Sequence, residues 1–187
     1  MPGRARSEIR EKQITARDIS LVALFVAFLT VCSFVAVPLG AVPVTLQSVG
    51  VIVSSGVLGA KKGTLVTVIY LTLGAVGLPV FSGFTGGYGV LLGPTGGFLI
   101  GFVPMSIVVG LLSGKMNRSF NWVLLSAAIG NIVLYAVGVF FYANVHLNGS
   151  SESYYSAFLT GVVPFLVPDI IKIVFSALLV VRIKKIV

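Results

Sequence analysis

Two charged residues stand in an otherwise apolar stretch near the C-terminus, "PFLVPDIIK" at residues 164–172. Asp169 and Lys172 are three positions apart, so a helix presents them on one side. Together they offer carboxylate acceptors for N–H groups and ammonium donors for a carbonyl or carboxylate. An ionised group at mid-membrane costs about 2.5–3.5 kcal/mol on insertion scales. Packing alone is a weak reason to keep such a pair, because apolar residues of similar volume usually serve as well. The pair therefore reads as a polar floor for a ligand, with a self-neutralising structural pair as the plainer alternative. Pro164 and Pro168 lie beside it. Each removes a backbone N–H and favours a kink that leaves a carbonyl free. Asn131 and Tyr135, four apart in another apolar run, add two polar tips on one helix face.

The elements that hold these residues follow from composition. Of 187 residues, 57% are hydrophobic and only 10% charged, and the mean hydropathy is +1.08. A water-soluble domain carries about 25% charged residues, so the chain reads as an all-α integral membrane protein. The apolar spans run over about 19–37, 46–60, 64–80, 97–113, 122–143 and 155–182. They predict six transmembrane helices in one domain, 19–187, after a basic tail, 1–18. The second and third spans are short for a crossing of about 20 residues, which predicts tilt, kinking or burial within protein.

The net charge of +8 is not a nucleic-acid footprint, because the basic residues are split between spans instead of clustered. Twelve of the thirteen Lys and Arg residues fall on one side of a six-helix arrangement: the tail, Lys61 and Lys62, Lys115 and Arg118, and Arg182 with Lys184 and Lys185. This predicts both termini in the cytoplasm and a multi-pass protein of the cell membrane. Lys172 is the exception.

Enzyme readings find little support. G-x-S-x-G and H-E-x-x-H are both absent. Of the carboxylates Glu8, Glu11, Asp18, Glu152 and Asp169, only Asp169 lies in a span, so one chain supplies no intramembrane acid pair. Cys32 is the one cysteine and reads as a small packing residue, and His146 as a solvated loop residue. "NGS" at 148–150 is a weak glycosylation match. The chain carries no metal motif.

The segment 81–98, "FSGFTGGYGVLLGPTGGF", holds seven glycines. It lacks the Lys of a P-loop, and Gly87, Gly89 and Gly93 miss the dinucleotide spacing. Glycines let backbone approach a ligand closely. With Phe81, Phe84 and Tyr88 beside them, the segment reads as a lid or pocket wall. In the first span, Ala23 and Ala27 are four apart, a small-residue spacing that lets another membrane helix come close.

Four strings in order, "VPVTLQ" (42–47), "YLTLGAVGLPVFSGFTGG" (70–87), "GPTGGFLIGF" (93–102) and "PFLVPDIIK", resemble the BioY family. Its members are the biotin-specific S components, or substrate-capture subunits, of energy-coupling-factor (ECF) transporters. The resemblance spans about residues 18–185. It implies the S-component fold, with a substrate site near the outer face that is capped by the loops after the first and third helices. It assigns biotin binding to Asp169 and Lys172, and pocket closure to Thr45, Gln47 and the glycines around Gly86 and Gly87. It makes Ala23 and Ala27 the docking face for the transmembrane coupling protein. No cofactor is implied; biotin is the transported ligand. The chain has no ATP-binding motif, so energy would come from separate ATPase subunits. Some relatives carry an Asn after "PVF" where this chain has Ser82, Gly83, Phe84 and Thr85, which leaves Thr85, backbone or water for that contact. Pocket chemistry by itself also fits an S component for another small amphipathic vitamin. It also fits a self-sufficient secondary transporter or channel with Asp169 as ion relay, or an assembly subunit.

Overall fold

The computed structural model describes residues 15–38, 42–115 and 119–185. The basic tail before residue 15 and Arg118 lie outside the described residues. Helix α1 (Ala16–Phe34) leads into a two-residue strand, β1 (Ala36–Val37). This strand pairs antiparallel with β2 (Val44–Thr45), in the register Ala36 opposite Thr45. The first loop is therefore held shut by a short ladder that the apolar pattern did not announce.

Helix α2 (Gln47–Ala75) is not a single rod. Gly59 sits at φ 81° and ψ 176°, which a residue with a Cβ avoids. A straight helix would separate Gln47 from Tyr70 by about 34 Å, yet their side chains share a 2.6 Å hydrogen bond. A Cβ on Gly63 would lie 2.4 Å from the Cα of Ser55, eight residues earlier. The chain thus turns back at Gly59, and α2 is a tight hairpin of two arms. They correspond to the predicted second and third spans, although the second arm stops at Ala75, short of residue 80. Among the described residues, five helices are long and apolar enough to cross a membrane, with α2 taken as one. Counted by direction of travel, with α2 as two arms and α6 and α7 as one, the described residues make six passes.

The first arm, from Gln47 to Val57, is buried all round. Such a helix belongs to the centre of a bundle, which explains how it stays short: its ends meet protein, not lipid. Around it pack Leu29 of α1, Val66 and Tyr70 of the second arm, and Met105 and Val109 of α4 (Gly96–Lys115). Val123 and Ala127 of α5 (Phe120–His146) and Ala177 and Val180 of α7 (Leu166–Ile183) complete this core. Between the second arm and α4, the Gly-rich segment holds a one-turn 3-10 segment (Ser82–Phe84) and a short helix, α3 (Tyr88–Leu92).

The predicted sixth span, 155–182, is two helices. α6 (Ser151–Gly161) ends where Val162 leaves helical geometry at φ −123°. A 3-10 turn, Val163–Phe165, then leads into α7. Pro164 in this turn accounts for the break, since its ring and missing N–H oppose an uninterrupted helix.

One end of the bundle collects the α1 start, the α2 turn and the ends of α4 and α7. Lys62 beside the turn binds Asp18 of α1 at 2.5 Å, and Val180 of α7 lies against Gly56. Gly110 of α4 faces the turn itself: a Cβ there would stand 2.4 Å from the Cα of Ala60 and 2.5 Å from its nitrogen. Both are main-chain atoms that a rotamer change cannot move. Gly110→Ala is therefore expected to destabilise the protein by about 1–3 kcal/mol, read as a lower melting temperature in detergent. Gly114→Ala, with open space at the added methyl, is the control expected to melt like the parent.

Candidate functional site

At the opposite end lies a cavity of about 310 Å3. This volume is at the small end of ligand pockets. α7 supplies Asp169 and Lys172, both buried. Their side chains form an ion pair. The Tyr135 hydroxyl on α5 donates to Oδ2 of Asp169. Lys172 Nζ also donates to the carbonyl of Thr45 at 3.0 Å, tying α7 to strand β2. An ammonium has three donors, so one N–H of Lys172 is uncommitted among the described residues. This polar cluster forms one wall. Phe98, Leu99 and Phe102 of α4, Leu134 of α5, Phe165 and Phe81 supply apolar surface. Thr45, Gln47, Ser82, Thr85 and Thr95 also line the cavity and add polar groups.

Of the residues singled out from sequence, Asp169, Lys172, Tyr135, Thr45 and Gln47 line this cavity together, as do Phe81 and Thr85. The others are placed elsewhere. Asn131 is buried one turn along α5 from Tyr135, does not line the cavity, and has no hydrogen-bond partner among the described residues. Tyr88 is 75% exposed. Phe84 is also exposed and stacks on Phe34 at the end of α1, with ring centroids 4.3 Å apart. Gly86 packs on the backbone at Leu78. Gly87, at φ 97°, donates its N–H to the carbonyl of Gly74 at 2.7 Å. These two glycines shape the turn that presents Phe81 and Thr85, and neither reaches the cavity.

Sequence reasoning missed the α4 wall. Thr95, Phe98 and Phe102 follow one another at spacings of three and four, which marks a single helix face. That periodicity was available in "GPTGGFLIGF" but is hard to separate from lipid-facing surface.

The fold and pocket can be set beside known proteins. The sequence profile of the BioY family matches residues 7–187, nearly the whole chain. The chain belongs to the BioY family. Among curated BioY relatives, the "Biotin transporter BioY" of Thermotoga maritima is 44% identical over 169 residues, covering 90% of this chain and 96% of that protein. The "Probable biotin transporter BioY" of Pyrococcus horikoshii is 40% identical, covering 90% and 97%. A solved structure, described as the S-component for biotin from an ECF-type ABC transporter, superposes with a TM-score of 0.79 at 29% identity. It covers 90% of this chain and 91% of that one. This BioY-family chain is thus a multi-pass membrane protein with the S-component fold. The expected all-α class holds; among the described residues the four-residue ladder and an isolated bridge between Phe81 and Thr85 are the additions.

Proposed function

We propose that this chain is a high-affinity biotin-binding S component that captures biotin at the outer face of the cell membrane and delivers it inward with an ECF energising module. The observation that carries the reading is the buried Asp169–Lys172–Tyr135 cluster opening on an otherwise apolar cavity. Biotin has an apolar thioether ring, a ureido group with two N–H donors and a carbonyl acceptor, and a carboxylate tail. Asp169 accepts from N–H groups, and Lys172 donates to an oxygen. The aromatic wall of Phe98, Phe102 and Phe165 suits the thioether ring. Thr45, Gln47 and Thr85 line the same space and supply the remaining polar contacts.

The basic end of the bundle faces the cytoplasm under the positive-inside rule, with both termini there and the cavity outside. No catalytic step is assigned. The coupling protein docks on α1, and the ATPase subunits act through it. Ala23 and Ala27 are exposed on that helix. Gly86, Gly87 and Tyr88 act in this reading through the lid's shape, not by touching ligand, and Asn131, buried outside the cavity, is given no ligand contact.

Labelled biotin added to the purified chain in detergent tests the reading. Saturable sub-micromolar binding is expected. A folded chain that does not bind biotin sinks it, and ion-driven biotin flux through the chain alone in liposomes would replace it with a secondary transporter. The lid makes a separate prediction. The Phe84–Phe34 stack lies outside the cavity but anchors the segment that carries Ser82 and Thr85. An aromatic pair contributes about 0.5–1.5 kcal/mol. Phe84→Ala should therefore speed biotin dissociation roughly 2- to 10-fold in a displacement assay. An unchanged rate would mean that something else holds the lid.

A further inference from the structure

The N-terminus of α2 borders the cavity, and the chain does not cap it. Thr45, just before the helix, and Gln47 and Ser48 of its first turn all line the cavity. A helix begins with four N–H groups that have no partner inside the helix. Here the Gln47 N–H donates to the Thr45 hydroxyl at 3.3 Å, and the Gly50 N–H to the Leu46 carbonyl at 3.2 Å. The N–H groups of Ser48 and Val49 meet no acceptor among the described residues. Leu46 stands at the cap position and makes no side-chain cap bond, and the first turn holds no acidic residue. The turn is buried, and a buried helix end calls for a partner.

Two neighbouring groups indicate which partner. Ser48 is only 5% exposed, and its hydroxyl has no hydrogen-bond partner among the described residues. Lys172 Nζ lies 3.0 Å from the carbonyl of Thr45, three positions before Ser48, so the ammonium stands beside the helix start. Aligned peptide dipoles give that start about half a positive elementary charge. Asp169 is paired with Lys172 and also accepts from Tyr135, which leaves the helix end unbalanced. The Ser48 N–H, the Ser48 hydroxyl and the third N–H of Lys172 can all donate. Donors gathered at a helix N-terminus favour an anion with oxygen acceptors.

We propose that the first turn of α2 is the carboxylate subsite of the cavity: the N–H and hydroxyl of Ser48, beside Lys172, receive the carboxylate tail of the ligand. The proposal rests on the biotin-binding reading and gives the ligand a direction. The tail lies against α2, and the ring system lies toward the aromatic wall of α4.

The test compares biotin with biotinol, whose neutral CH2OH group replaces the carboxylate, on the purified chain in detergent. The parent is expected to prefer biotin. Ser48→Asp supplies an anion to the helix end from within the chain and repels a second one. It should weaken biotin at least about 100-fold and biotinol less than about 10-fold. Ser48→Ala removes only the hydroxyl and adds no charge, so it keeps the test decisive if Ser48→Asp does not fold. It should weaken biotin about 10-fold and biotinol no more than about 3-fold, because a hydrogen bond to a charged group is the stronger one. Equal affinity of the parent for the two compounds would overturn the inference. So would a biotin-to-biotinol ratio that stays at the parental value in the folded variants. A folded parent that binds neither compound sinks the biotin reading itself, and the subsite with it.

Discussion

Asp169→Ala is expected to abolish most biotin binding and to lower the melting temperature together. Both effects have one origin. Asp169 pairs with Lys172 and accepts from Tyr135, and both charged side chains are buried. Truncating the acid leaves a buried ammonium held by the Thr45 carbonyl among the described residues. Breaking a buried pair from one side costs about 3–5 kcal/mol of stability. The ligand loses a charge-assisted hydrogen bond of about 2–3 kcal/mol, or roughly 30- to 150-fold in affinity. A second variant separates the two losses. Replacing both partners by apolar residues, Asp169→Leu with Lys172→Met, removes the charges together, which is often neutral for stability. That double variant should melt near the parent and still fail to bind. Parental affinity in Asp169→Ala would show that the acid is structural, the plainer reading of the pair.

The second large effect is expected in transport and not in binding. Ala23→Leu combined with Ala27→Leu should leave biotin binding at the parental level and cut uptake with the energising subunits at least about 10-fold. Helix α1 buries Val22, Phe25, Val26 and Leu29 against the bundle. Ala23 and Ala27 are exposed, beside Ile19, Leu24 and Val31. Two alanines one turn apart let a partner helix come close to the backbone, and leucines hold it off. The added side chains point away from the core, so the fold and cavity are untouched. Copurification of the coupling protein and radiolabelled uptake in cells measure the effect. Normal uptake would move the docking face elsewhere. Loss of biotin binding would show that α1 shapes the pocket directly.

The hydropathy pattern and the placement of basic residues determined a great deal by themselves. The apolar spans marked the long helices to within about five residues, except that the last span, 155–182, is divided into α6 and α7. The lysines at 61 and 62 marked a turn inside what is otherwise one apolar run, and Gly59 makes that turn. The cost of burying charge singled out Asp169 and Lys172, because few environments other than a polar site keep such a pair. Prolines at 164 and 168 announced a distortion in the last span, and the break falls at Val162–Phe165.

What faces what was left to the tertiary structure. In water, a helix shows its inner side by an apolar stripe. In a bilayer, the outer side is apolar as well, so the stripe vanishes. Phe98 and Phe102, which line the cavity, look in sequence like Phe84, which sits outside it. Asn131 and Tyr135 share a helix face in sequence, yet only Tyr135 lines the cavity. The bond from Gln47 to Tyr70 spans 23 positions and exists because α2 folds back on itself. A local pattern has no means of recording a contact made across such a turn. The charges pointed to the end of the bundle where the cavity lies; the packing of the bundle decided which neutral residues surround them.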